Sequence, residues 1–230
     1  MREAEATSEC KAVDMTVARY AVDARLGPEH ARWLRGAFAG AVDRVEVHQH
    51  GVDGLVYRHP LVRFDVSTGR PVVAGLAEGA LVLRSVRPLA EIRLGPGVHV
   101  VTGFQRTDER PRIGPTSVAA RYGFRSPYLA LNQDNHEAWN RGSVADRRRL
   151  LERVVVGNLL SLSKAVGLHV GARLRAEVDL EPDGRHVLKP GVELLGFRGT
   201  FRVNFRIPDL WGLGKSSSRG FGTVARLEGA

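Results

Sequence analysis

Two histidines one residue apart, His48 and His50, with a third at His59, are the residues whose chemistry is easiest to name. On extended backbone, side chains two positions apart project from one face, so His48 and His50 would reach the same substrate. An imidazole with an ordinary pKa of about 6.5 gives and takes protons near neutrality. Such a pair suits RNA scission. The 2′-OH is already in place as nucleophile, one imidazole deprotonates it, the other protonates the departing 5′ oxygen, and a nearby cation such as Arg58 steadies the phosphorane. On spacing alone three readings stay open: acid–base catalysis, a metal site completed by Asp53 or His59, and a surface turn around residues 51–54 with no chemistry. His136-Glu137 begins an HExxH motif, but Asn140 stands where its last histidine belongs. His30, His99, His136, His169 and His186 are scattered and read as exposed or locally satisfied. Serine-hydrolase chemistry has no G-x-S-x-G motif behind it.

The second chemical feature is the stretch 211–224, with Gly212, Gly214, Gly220 and Gly222 around Lys215, Ser216, Ser217, Ser218 and Arg219. Glycines let backbone N–H groups approach an anion, and the basic and hydroxyl side chains add charge and donors, so the loop reads as a phosphate grip. A Walker A loop would need glycine at Asp209, and a dinucleotide fingerprint would need it at Ser217, so both nucleotide readings fail. Residues 219–224 instead match most of the R-G-F-G-F-V signature of an RRM, departing at Thr223, which points to RNA. A solvated glycine turn is the bland alternative.

These residues need a scaffold, and 230 residues suffice for one large domain or two small ones, each able to bury a core. The formal charge is +9, of which +7 falls in residues 115–230, and 30 of the 34 basic residues are Arg, which suits phosphate forks. No apolar run is long enough to span a bilayer, and residues 1–10 do not resemble a signal peptide. The lone Cys10 rules out an internal disulfide or a Cys-rich metal cage and fits a reducing, cytoplasmic setting.

Alternation predicts a strand over 16–25. Trp33, Leu34, Ala37, Phe38 and Ala41 then recur at helical spacing after Pro28. Strands at 61–66 and 71–75 joined by a turn at 67–69, a short helix at 77–83 and a strand at 98–104 complete a β-α-β-β-α-β order, which is ferredoxin-like. The polar, proline-bearing stretch 109–117 reads as a linker between a first domain, 1–108, and a second, RRM-like domain, 118–230. In the second, a strand at 118–124 precedes a long helix opened by a Ser143-x-x-Asp146 capping box and ending near Gly167. Strands at 173–180, 187–189, 193–205 and 223–227 follow. Gly157, inside that helix, is expected to permit close packing.

Four blocks together resemble one family: His48-Gln49-His50 with residues 57–64, residues 127–132, residues 151–161, and the glycine block 212–222, preceded by 196–208. The chain resembles the CRISPR-associated endoribonucleases that cleave repeat RNA to make guide RNAs. The resemblance implies an α+β fold of tandem ferredoxin-like domains. It also implies cleavage without metal or cofactor, leaving a 5′-OH and a 2′,3′-cyclic phosphate, with His48 and His50 as acid and base. Gln49 and His59 stand where that branch usually has Asn and Tyr. The implied partner is CRISPR repeat RNA in a precursor transcript. The expected RNA-binding residues are Gly212, Gly214, Lys215, Ser216, Arg219, Gly220, Gly222 and Arg58. A non-cleaving RNA-binding subunit of a CRISPR effector complex is the alternative, and a metal-dependent hydrolase a second rival. Contacts with effector subunits and a homodimer are left open.

Overall fold

The computed structural model describes residues 10–27, 30–41, 50–51, 54–55, 59–66, 68–189 and 191–228, with backbone alone at 39–41, 50–51 and 54–55. The first half contains β1 (Lys11–Ala12), β2 (Met15–Val22), α1 (Ala31–Ala41), β3 (His50–Gly51), β4 (Gly54–Leu55), β5 (Val62–Asp65), β6 (Val72–Leu76), α2 (Glu78–Ser85), β7 (Glu91–Leu94) and β8 (Gly97–Glu109). The second contains β9 (Arg112–Phe124), α3 (Gln133–Arg141), α4 (Val144–Ala165), β10 (Ala176–Lys189), β11 (Val192–Arg206), a 3-10 turn at Ser217–Arg219, and β12 (Val224–Arg226).

The first sheet runs β5-β6-β2-β8-β7 with antiparallel neighbours. Its first four strands have the ferredoxin-like order, in which the second strand of the β5-β6 hairpin slots between β2 and β5, the two strands flanking the first helix. The edge strand β7, paired to β8 from Glu91↔Val100 to Leu94↔Gly97, has no counterpart in the sequence-based assignment. The second sheet places β12 and β1 on one side of β9, followed by β11 and β10 on the other, again the ferredoxin-like order. Here the place of the second helix is taken by the glycine stretch with its single 3-10 turn. The strands expected at 173–180 and 187–189 are one long strand, β10, paired along β11 with irregularities at Pro182/Arg185 and Val187/Lys189.

The stretch 109–117 is not an open linker. β8 runs to Glu109 and β9 starts at Arg112, leaving Arg110 and Pro111 as the connection. Both strands are anchored by earlier chain: β2 pairs with β8 out to Met15↔Glu109, and β1 pairs with β9 at Lys11↔Ile113. Polarity misled here because a strand edge facing water is as polar as a loop.

Local signals explain the helices. α1 buries Ala31, Leu34 and Phe38, three and four residues apart, against β2 and β5. At the start of α4 the Ser143 hydroxyl accepts from Asp146 N and the Asp146 carboxylate accepts from Ser143 N, the capping box the sequence announces. Its other end is held from a distance. Lys11 Nζ donates to the carbonyls of Val166 (2.8 Å) and Gly167 (3.3 Å), placing a cation at the negative end of the helix.

The two units share a core. One face of the first sheet (Ala18, Tyr20, Val62, Phe64, Val73) packs under α1 and α2. The other (Met15, Val17, Leu61, Val72, Ala74, Leu76) joins one continuous cluster with Tyr122, Leu151, Val155, Phe201, Phe205 and Trp211 of the second unit. Among the described residues no helix is long and apolar enough to cross a membrane.

Candidate nucleic-acid interface

The glycine stretch is wedged between the units. Trp211 is buried, and its Nε1–H donates to His59 Nε2 at 2.8 Å. Leu213 N donates to Gly222 O and Val224 N to Trp211 O, closing a narrow hairpin, while Gly222 N donates to Pro127 O and Lys215 N to Leu129 O. Of the four glycines, Gly222 thus spends its N–H on one of the protein's own carbonyls. The glycines serve close approach. A Cβ on Gly212 would lie 2.7 Å from Arg63 Nη1, and one on Gly220 2.8 Å from Ala31 Cβ of α1. Gly222, at φ 62°, faces the Leu213 carbonyl so closely that a Cβ would run into it.

What the loop presents outward is side chains. Lys215 is exposed. Ser216, left-handed at φ 56°, accepts from the half-buried Arg219 guanidinium at 2.8 Å and so fixes its direction. Burial pushes the Arg219 pKa down, and burial together with the charge of Arg219 does the same to Arg35 of α1. Two cations from the two units thus face one another. Arg32, Arg198, Arg219, Gly220, Phe221 and His186 line a cleft of about 440 Å³ beside them, with no carboxylate in its lining. The rings of His186 and Phe221 meet edge to face at 5.9 Å. Phe221 lies in the loop, not on a strand, so the signature of residues 219–224 is not used as in an RRM. On the second sheet, the face away from α4 carries Arg121, Arg202, Glu177, Asp179 and Thr200, with no stacking aromatic among these.

His48 and Arg58 lie outside the described residues. His50 enters β3, opposite Leu55 of β4, in a two-stranded hairpin between α1 and β5. The first residue of α1, Ala31, packs near Gly220, and His59, which follows the segment, accepts from Trp211. Burial, with the Arg63 charge adding to it, lowers the His59 pKa to about 3. This imidazole is neutral at physiological pH, buried, and spends its Nε2 on Trp211, which sets it apart from a proton donor that titrates near neutrality.

Behind the loop sits a buried polar node that sequence reasoning missed. Arg63 Nη2 donates to Asp65 Oδ2 (2.9 Å) and Thr223 Oγ1 (2.6 Å), Thr223 Oγ1 donates to Asp65 Oδ2 (2.7 Å), and Ser126 Oγ donates to Thr223 Oγ1 (3.0 Å). The alternation of residues 62–66 reads as a half-exposed strand, and nothing local says that the second unit covers its polar face. Arg32 and Arg35 were missed as well, although both sit on α1 near Ala31, where helical spacing could have grouped them.

Gly157 also departs from expectation. A Cβ there would meet nothing within 4 Å, so it leaves space rather than permitting contact.

Comparisons with known proteins agree along both halves. Residues 12–103 match the Cas6b N-terminal domain and residues 114–227 the Cas6b C-terminal domain. A solved structure described as Cas6b is 30% identical with a TM-score of 0.87, covering 94% of this chain and 99% of its own. Another, described as the CRISPR RNA processing endoribonuclease Cas6b, is 28% identical with a TM-score of 0.73, covering 93% of this chain and 100% of its own. An uncharacterized protein of Methanocaldococcus jannaschii is 36% identical over 134 residues, 58% of this chain and 90% of that protein. With both domain families matched in order and the fold reproduced over nearly its whole length, the chain belongs to the Cas6b family of CRISPR RNA processing endoribonucleases.

Proposed function

We propose that the protein cuts repeat RNA within CRISPR precursor transcripts by metal-independent attack of the 2′-OH, with His48 and His50 as the acid–base pair. One imidazole takes the 2′-hydroxyl proton and the 2′ oxygen attacks phosphorus. The bond to the 5′ oxygen then breaks as the other imidazole protonates it, leaving a 2′,3′-cyclic phosphate and a 5′-OH. Lys215 and Arg219 hold phosphates, Ser216 aims Arg219, and Arg58 adds positive charge. The glycines at 212, 214, 220 and 222 keep the loop thin enough for RNA to pass over it. What supports the reading is the glycine stretch: it contacts His59, just after the histidine segment in sequence, and its Arg219 lines a cleft with Arg32 and Arg198.

The test is cleavage of labelled repeat RNA in EDTA by the wild type, His48→Ala and His50→Ala, with a second substrate carrying 2′-deoxy at the cut. Cleavage is expected to survive EDTA, to vanish on the deoxy substrate, and to fall by about 10²- to 10⁴-fold in each variant. Tight binding of the correct repeat without any cut would instead make the protein a non-cleaving RNA-binding subunit. Activity abolished by EDTA and restored by a divalent ion would return the metal-dependent hydrolase.

A further inference from the structure

We propose that a groove beside Gly214 and Lys215 of the glycine stretch, sharing no lining residue with the Arg219 cleft, is a second RNA subsite, which takes one nucleotide with its phosphate. It rests on the RNA reading above. The groove holds about 480 Å³ between α3, the middle of α4 and the loop, and is lined by Lys215, Arg153, Asn132, Asn135, Asn158 and Gly157 among others. Its charge is one-sided. Two cations and three amides line it without a carboxylate, and among the described residues neither Lys215 nor Arg153 makes an ion pair.

The geometry is built rather than incidental. Lys215 is fixed at the mouth by its backbone bond to Leu129 O, and Asn158 is oriented by donating to Tyr128 OH at 2.6 Å. Asn132 Oδ1 accepts from the backbone N–H of Asn135 at 2.7 Å, which fixes the Asn132 carboxamide as the N-cap of α3. Gly157 explains why the groove exists. Glycine is a poor residue for a helix interior, yet here it neither touches a neighbour nor adopts an unusual backbone angle. What it does is keep the floor of the groove open between Arg153 and Asn158. Cations for a phosphate and carboxamides for a base edge are the groups single-stranded RNA recognition uses. Lys215 belongs to both the groove and the loop, so a strand leaving the Arg219 cleft over the loop enters here.

The test compares binding of the repeat RNA by wild type, Gly157→Leu, Arg153→Gln and, as a charge-matched control, Arg226→Gln on the exposed edge strand. Leucine is a good helix former and has room at 157, so thermal unfolding should show Gly157→Leu at least as stable as wild type. Both groove variants should lose about tenfold or more in affinity while Arg226→Gln stays near wild type. Arg153→Gln should also reduce the slope of log K against log salt by about 0.7, the mark of one lost contact to a single-stranded phosphate. If wild type binds and both groove variants bind equally well, the subsite is refuted and the RNA reading stands. If wild type does not bind the repeat at all, the RNA reading fails and the subsite with it.

Discussion

His59 carries the clearest consequence of a single side chain. It stands three residues before the start of the buried strand β5, accepts from Trp211, and has its pKa lowered to about 3 by burial first and the Arg63 charge second. In the unfolded chain the same imidazole titrates near 6.5, so below that pH the unfolded state binds a proton the folded state refuses. Stability from this group is therefore complete above about pH 6.5 and is lost as pH falls toward 3, at about 1.4 kcal/mol per pH unit. His59→Gln keeps an acceptor for Trp211 Nε1 and removes the titration. Urea unfolding at about pH 7 and about pH 5 should show the wild type losing roughly 2 kcal/mol more than this variant. Equal losses would mean that the His59 ring opens to water. The same variant should leave the pH dependence of RNA cleavage unchanged, because the groups that titrate there are proposed to be His48 and His50.

At the scale of the element, the glycine stretch separates two roles that its sequence blends. Its glycines maintain contact with Arg63, Tyr128, Ala31 and Leu213, while Lys215 and Arg219 face outward. Changes of the two kinds should therefore fail differently. Gly222→Ala places a Cβ against the Leu213 carbonyl at a left-handed backbone angle and should cost about 1–3 kcal/mol or more of folding stability. Lys215→Ala should leave the denaturation midpoint unchanged, weaken RNA binding and flatten its salt dependence. Denaturation and binding titrations on both variants would check this. A Gly222→Ala protein as stable as wild type, or a Lys215→Ala protein that binds as well, would remove the assigned role. The fold was legible where local pattern and long-range packing agree. The period of Leu34 and Phe38 gave α1, and Ser143 with Asp146 gave the start of α4. It was illegible where partners are remote. β7 is an edge whose Glu91 and Arg93 are exposed, the strands across 109–117 are paired by β1 and β2 from the far end of the chain, and Gly157 looks like a packing glycine until the empty space beside it is seen. For the candidate site, residue types singled out Lys215 and Arg219, but only the assembled units bring Arg32 and Arg35 toward Arg219.

At the scale of the whole molecule the two units share one core because the strands β2, β5 and β6 of the first sheet have no free face. α1 and α2 cover one side and the second unit the other, and the polar node of Arg63, Asp65, Thr223 and Ser126 sits in that seam. The ion pair is almost wholly buried, with side-chain exposures of 1% for Arg63 and 6% for Asp65. Arg63 Nε and Nη1 have no hydrogen-bond partner among the described residues. Desolvation lowers the Arg63 pKa, opposed by the neighbouring Asp65. Such a pair adds little net stability when intact, yet removing Arg63 takes the charged donor from the buried Asp65 carboxylate at a cost of about 3–5 kcal/mol. Arg63→Ala should accordingly lower the melting temperature of the entire protein, and calorimetry should show one transition moving as a unit, as in wild type. Two separate transitions in the wild type would mean that the shared apolar cluster does not couple the halves. A single transition matters for function because Arg35 comes from one unit and Arg219 from the other. If the units moved independently, two like charges would drift apart in the absence of RNA. A shared core holds them together beforehand, so under the proposed RNA reading a phosphate entering there would meet a preassembled positive site.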